Sequence, residues 1–293
     1  FGVPRNILRL RPEHRCAVIE LGSNHPGEIG LLADIVQSDI GCITSIGRAH
    51  LEFLKDLHGV AEEKGSLLSR LGTDGVAVIP DKCPGNDRLR SLADSARLLT
   101  FGRSPAATIQ FAYRGRRQGQ YETDLTWTAQ GKHRKLRWPW GGEHQAANAA
   151  AAAAVASALR VSREPLVEGL ASCRLPAMRM EERTVEGVHW VNDAYNANPD
   201  SMRAGIRWFA ELMRGESPEQ FILVLGDMRE LGITSRDEHA ELLAWARRRM
   251  PQAVILAVGS AMTEAALNVE GVRSFQSPEG ASEWLQDRLQ AGT

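Results

Sequence analysis

GVAVIPDKCPGNDRLRSLADSARLLTFG (75–102) decides the fold class. Its opening GVAVIP (75–80) is a short apolar run with the pattern of a buried strand. NDRLRSLADSA (86–96) reads as a helix, and RLLTFG (97–102) as a second strand. Strand, helix and strand in close succession predict a parallel βαβ unit. The same alternation extends towards the amino end. CAVIEL (16–21) and SDIGCITSI (38–46) read as buried strands, and GEIGLLADIVQ (27–37) between them has apolar residues at helical spacing. Residues 57–72 read as one helix.

The texture changes near residue 106. TIQFAYR (108–114), YETDLTWTA (121–129) and HRKLRWPW (133–140) alternate apolar and polar residues across glycine-containing turns, which predicts an antiparallel patch. Helices are expected over 146–159 and 161–173, the second with Ser162 as N-cap. A second domain is expected from Arg179. Its strands are HWVNDAY (189–195), FILVLGD (221–227), AVILAVG (253–259) and 271–275. Its helices are 199–213, opened by Pro199, then 237–250, 261–268 and 278–290. Asp237 and Glu238 begin the second of these and Arg247–Arg249 end it, matching the helix dipole. The expected architecture is a central, mostly parallel α/β sheet with a small antiparallel patch, followed by a Rossmann-like α/β domain. The boundaries are 1–178 and 179–293.

A chain of 293 residues with 43% apolar and 24% charged residues fits one large or two ordinary soluble domains. Its net charge of −1 argues against a nucleic-acid or anionic-membrane partner. Cys16, Cys42, Cys83 and Cys173 form no CxxC pair, and Cys16 and Cys42 sit in apolar runs that favour buried free thiols. A reducing cytoplasm fits this better than a disulfide framework. No signal peptide pattern opens the chain, and the alanine run 146–159 is too short to span a bilayer.

Six polar or glycine-rich knots follow apolar runs: ELGSNHPGE (20–28), SIGRAHLEF (45–53), EEKGS (62–66), GGEHQAANAAAA (141–152), NDAYNANPDSM (192–202) and GDMRELG (226–232). In α/β proteins such loops sit at the carboxyl ends of strands, where ligands bind. A GxxxxGK[ST] phosphate loop is not among them. The only Gly-Lys pair, Gly131–Lys132, is followed by His133, with Thr126 where the first glycine belongs. By placement, Glu20 is either a hard-cation ligand at a strand end or a capping or surface acid. His50 is either a ligand or a structural histidine, and Lys64 reads first as a solvated helix lysine. Asn148 is either an adenine reader or a helix Asn packed on a loop. Arg179 is a phosphate-binding or a plain linker arginine. Asp193, Tyr195, Asn196, Asn198 and Ser201 are contact candidates that are equally common in turns and caps. Asp227 contacts ligand or caps the loop that follows it.

The order and wording of these segments resemble the Mur ligases, most closely the type that adds D-alanyl-D-alanine to a UDP-N-acetylmuramoyl tripeptide. NDAYNANPDSM and GDMRELG carry the resemblance most specifically, and it covers essentially the whole chain. It implies an ATP-dependent amide ligase of peptidoglycan precursor synthesis, cytoplasmic and monomeric, acting through an acyl phosphate. It implies two Mg²⁺ ions held by Glu20, His50 and a Lys64 carbamylated by CO₂. It also implies ATP contacts from Asn148, Arg179 and Asp193, with Tyr195, Asn196 and Asn198 beside nucleotide or peptide. Gln145 stands where the family has Asn, and LPAMRMEER (175–183) resembles the linker LPGRME. Measured against the family, both ends look cut: the phosphate loop would lie upstream of GVP (2–4) and a Lys-Gly-Ser segment downstream. The fragment by itself is then expected to be inactive. Rival expectations are another ligase of the superfamily, such as a folylpolyglutamate synthase, and a non-catalytic nucleotide-binding scaffold.

Overall fold

The computed structural model describes residues 2–214 and 220–289. Contacts divide the chain into two compact units, 1–140 with 144–172, and 141–143 with 173–293.

The first unit runs α1 (Gly2–Ile7), α2 (Glu28–Val36), β1 (Ile40–Cys42), α3 (Leu51–Leu54), α4 (Leu57–Gly65), a 3₁₀ turn at Leu68–Arg70, β2 (Val76–Pro80), α5 (Asn86–Leu92), β3 (Arg97–Gly102), β4 (Ile109–Arg117), β5 (Gln120–Trp127), β6 (Lys132–Trp138), α6 (Glu143–Ala158) and α7 (Arg163–Ala171). One sheet holds its six strands in sequence order. β1 to β4 pair parallel, and β4, β5 and β6 pair antiparallel, as the change of texture near 106 predicts. The β4–β5 link is two residues, Gln118 (φ 52°) and Gly119 (φ 81°). Two positive φ values in a row make the turn whose twist matches paired strands. Every residue of β2 is buried, which explains its unbroken apolar run. α6 lies on the sheet through Ala146, Ala150, Ala151, Ala153 and Ala154, against Val76, Val78, Phe101, Ile109, Phe111, Leu125 and Trp127. The large buried side chains of this core come from the strands; the buried residues that the helix gives it are alanines, with the half-buried Val155 beside them.

The second unit runs β7 (Glu181–Val185), β8 (Val188–Asn192), α8 (Pro199–Leu212), β9 (Ile222–Gly226), α9 (Ser235–Arg249), β10 (Val254–Val258), α10 (Ser260–Ala266), β11 (Val272–Phe275) and α11 (Pro278–Gln286). β9, β10 and β11 form a parallel sheet in the order β11-β10-β9, with Ala281, Trp284 and Leu285 of α11 on one face. Among the described residues β8 pairs only with β7, in a separate antiparallel hairpin. Asn198 and Ser201 exchange hydrogen bonds as a capping box at the start of α8, with Pro199 in its first turn.

Several expectations are corrected. Residues 16–21 are not a strand. They run unpaired, with Val18 95% exposed and Cys16 exposed. Apolar pattern gives a segment strand propensity, but a strand exists only with a partner, and no described strand lies beyond the outer edge of β1. The strand expected over 38–46 shrinks to Ile40–Cys42. The helix expected over 57–72 ends at Gly65, so EEKGS lies in the last turn of α4 rather than in a loop. Helix α1 lies ahead of residue 16, in a stretch to which the sequence reading assigned no element. Ser162 occupies the N-cap position of α7, yet its side chain makes no cap hydrogen bond. Residue 290 of the last expected helix lies outside the described residues.

Candidate functional site

α4 organises the first group of candidate residues. It starts on Asp56, whose carboxylate accepts from the Gly59 amide at 2.8 Å. Glu63 and Lys64 are adjacent in its last turn, and each holds a different loop. The Glu63 carboxylate, 5% exposed, accepts from Ser23 Oγ at 2.8 Å, the Gly27 amide at 2.6 Å and the Ile29 amide at 2.7 Å. It thereby satisfies free N–H groups at the start of α2, whose own N-cap residue, Gly27, offers no side chain. Lys64 is half-buried, and its Nζ donates to the Ser45 carbonyl at 3.3 Å, in the loop after β1. Burial pulls the Lys64 ammonium below the ordinary lysine range. Gly65 does not leave its space to Lys64. A Cβ there would meet Leu92 at 2.5 Å and Leu89 at 3.0 Å, so the space belongs to α5.

The loop held by Glu63 is also bonded within itself. Glu28 accepts from the Asn24 and His25 amides at 3.0 and 3.1 Å, which lowers its pKa. The His25 ring stacks on Phe53 of α3 with centroids 4.1 Å apart. Glu20, three residues before this loop, is exposed and makes no hydrogen bond or ion pair with a described residue. His50 occupies the N-cap position of α3 in a left-handed conformation, φ 58°, and is half-buried. Among the described residues no three His, Cys, Asp or Glu side chains are grouped to hold a metal.

At the start of α6, Asn148 Nδ2 donates to Gln145 Oε1 at 3.2 Å. Gln145 is buried and Asn148 exposed, so the pair presents one amide outwards, braced by the other. His144 beside them is neutral at pH 7, because burial pushes its pKa down to about 4.

The third group lies in the second unit. The Arg179 guanidinium stacks over the Tyr195 ring at 4.2 Å. The Tyr195 amide donates to Met178 O at 3.1 Å, and the Met180 amide to Asp193 Oδ1 at 3.1 Å. Met178 and Met180 both have positive φ, 61° and 48°. Two strained non-glycine residues flanking one arginine are a mark of a functional segment. Asp193 is an exposed residue, but its carboxylate is tucked against α8, where a Cβ on Gly205 would stand 3.0 Å from Oδ2. Loss of water raises the Asp193 pKa, while the Met180 amide and Arg179 charge pull the other way. Gly205→Ala should therefore push the Asp193 carboxylate off α8 and loosen its hold on the Met180 amide. Hydrogen exchange at Met180 measures this, and an unchanged rate would show that the carboxylate keeps its place.

The remaining candidates are held locally. Asn196 Oδ1 accepts from the Ala197 amide at 2.9 Å, and Asn198 Oδ1 caps α8. Asp227 accepts from the Met262 and Ala261 amides at 2.8 and 3.3 Å and so caps α10. Two residues escape a reading of the sequence. Glu63 is hidden by the lysine beside it. His239, fully buried in α9, accepts from the Met228 amide through Nε2 at 2.9 Å and contacts Ser235 O through Nδ1 at 2.6 Å. It thereby fixes the segment 226–232.

The Mur ligase middle-domain model matches residues 1–156, and the Mur ligase glutamate ligase domain model matches 178–293. The chain belongs to the Mur ligase family. It is 33% identical over 245 residues to the UDP-N-acetylmuramoyl-tripeptide–D-alanyl-D-alanine ligase of Escherichia coli, covering 83% of this chain and 52% of that protein. The crystal structure of MurF from Acinetobacter baumannii superposes with a TM-score of 0.88 at 32% identity, over 98% of this chain and 61% of that one. The MurF ligase of Thermotoga maritima in complex with ADP shares the fold, with a TM-score of 0.83 at 23% identity, over 99% and 65% of the two chains. The chain spans about half the length of the curated relatives it matches.

Proposed function

We propose that this chain is the ATP-using part of a ligase that joins D-alanyl-D-alanine to UDP-N-acetylmuramoyl-tripeptide. The observation that carries the reading is Lys64: a half-buried amine with a depressed pKa, bonded to one carbonyl and to no carboxylate among the described residues. A plain structural lysine at this depth would be expected to have an anionic partner. An amine that reaches its neutral form easily can add CO₂ and become an anion. The relatives named above support the substrate assignment.

In this reading Glu20, His50 and carbamylated Lys64 hold two Mg²⁺. The donor chemistry fits: two oxygen anions suit this hard cation, and His50 suits a position in contact with its water shell. When bound, the ions neutralise the crowded phosphate charge of phosphoryl transfer. Asn148, braced by Gln145, presents its amide to adenine, and Arg179 pairs with phosphate. Asp193 accepts from a ribose hydroxyl, and Tyr195, Asn196 and Asn198 shape the loop around nucleotide or peptide. The tripeptide carboxylate takes the γ-phosphoryl group of ATP and ADP leaves; the dipeptide amine then attacks the acyl phosphate, and the amide forms as inorganic phosphate departs and the amine gives up a proton.

We infer a functional division at 178/179, supported by the start of the second family model at 178; the compact units divide six residues earlier, at 172/173. Four free cysteines favour a cytoplasmic setting, and no helix among the described residues is long and apolar enough to cross a membrane. A monomer is the expected working form.

The test is phosphate release by the complete gene product with ATP, tripeptide precursor and D-alanyl-D-alanine. Release should require both acceptor substrates. Release supported instead by a folate and glutamate would move the protein to the folylpolyglutamate synthases, and binding of ATP without turnover would make it a scaffold.

A further inference from the structure

We infer that Glu63 is a positioning residue that sets the spacing between the Glu20 segment and Lys64; this rests on the metal-holding reading of those two residues. Glu63 and Lys64 are consecutive on α4, so the backbone fixes the distance between them. The Glu63 carboxylate reaches 34 to 40 residues back along the chain and binds Ser23, Gly27 and Ile29. All three contacts are donors aimed at its two oxygens, the pattern of an ionised carboxylate. The segment that carries Glu20 runs directly into the loop that Glu63 binds, so the carboxyl side of that segment is set by Glu63. Lys64, through Ser45 O, fastens the loop that leads to His50. One helix turn thus ties together the loops that carry or adjoin all three candidate ligands, and Glu63 does so with both of its oxygens taken by donors of the chain.

A positioning role differs from simple helix capping in what it disturbs. Capping alone predicts lost stability. Positioning predicts a looser cation site at equal folding, because ligands held even an ångström too loosely bind poorly. Glu63→Gln keeps the shape and one carbonyl acceptor but turns an NH₂ group towards amide donors. Ser23→Ala removes a single bond and serves if Glu63→Gln does not fold.

The experiment uses the complete gene product, with Mn²⁺ as a paramagnetic probe of Mg²⁺ sites and ATP held saturating. Mn²⁺ binding is followed by electron paramagnetic resonance, and hydrogen exchange reports on the Gly27 and Ile29 amides. Glu63→Gln should weaken Mn²⁺ binding about tenfold and speed exchange at both amides, with the Lys64 carbamate still present by ¹³C NMR in labelled bicarbonate. Ser23→Ala should weaken it two- to threefold. The half-saturating Mg²⁺ concentration should rise further than kcat falls. Unchanged Mn²⁺ affinity in Glu63→Gln, with a lowered melting temperature, would make Glu63 a cap and nothing more. Unchanged affinity in Glu20→Ala and Lys64→Ala as well would overturn the metal-holding reading itself, and this inference with it.

Discussion

Lys64→Ala should abolish ligase turnover in the complete gene product, by about 10³-fold or more, as expected when a group that holds charge-neutralising ions is removed. High bicarbonate should not restore it, whereas a short carboxylic acid should restore part, because it supplies the missing anion. The pH dependence has a definite sign. Burial depresses the Lys64 pKa in the folded chain. Between that value and the ordinary lysine value, the unfolded state binds more protons than the folded one, so stability rises with pH. Below the folded pKa the full cost of burying the charge is present; above the ordinary value it is gone. The neutral form, and with it the carbamate, should also grow with pH. A ¹³C carbamate resonance in labelled bicarbonate, absent from Lys64→Ala, measures this. Full activity in Lys64→Ala would return the residue to the ordinary helix lysines.

The second large effect concerns folding. His239→Ala should destabilise the second unit by about 3 kcal/mol, the sum of a buried void and a stranded Met228 N–H. The melting temperature should fall by on the order of 10 °C. His239 accepts through Nε2, so Nδ1 carries the proton and donates to Ser235 O. His239→Gln can keep one of these bonds but not both, and should fall between. Equal melting of wild type and His239→Ala would show that segment 226–232 stands without the histidine.

Much of the fold was legible because period and partner agree in it. RLLTFG is a strand over 97–102 as expected, and the three alternating segments after residue 106 pair antiparallel. CAVIEL is not a strand here because the pattern reports what a strand would bury, and among the described residues no neighbour pairs with it. β7 escaped because EERTV carries three charges in five residues and shows no alternation. In the site, the sequence named Arg179, Asp193 and Tyr195, and the structure brings them into one cluster. It did not show Glu63 because its partners lie more than thirty residues away, where no local spacing marks them. His239 looked like one polar residue in a charged helix. The positive φ values of Met178 and Met180 had no signal at all, since methionine is not a residue that announces a left-handed turn.

The all-methyl face of α6 carries a further consequence. Six of its alanines, from Ala146 to Ala154, are 3% exposed or less. A helix seated on methyl groups rides close to its sheet, and that height depends on the smallest side chain available. A larger residue in the stripe adds volume to a contact made of methyl groups and is expected to lift or tilt the rod. The amides of Gln145 and Asn148 sit at one end of that rod, so they would swing with it. Mutational tolerance should therefore be lowest along a row of residues that touch no ligand. Variation there would read out first as altered nucleotide affinity and only later as unfolding.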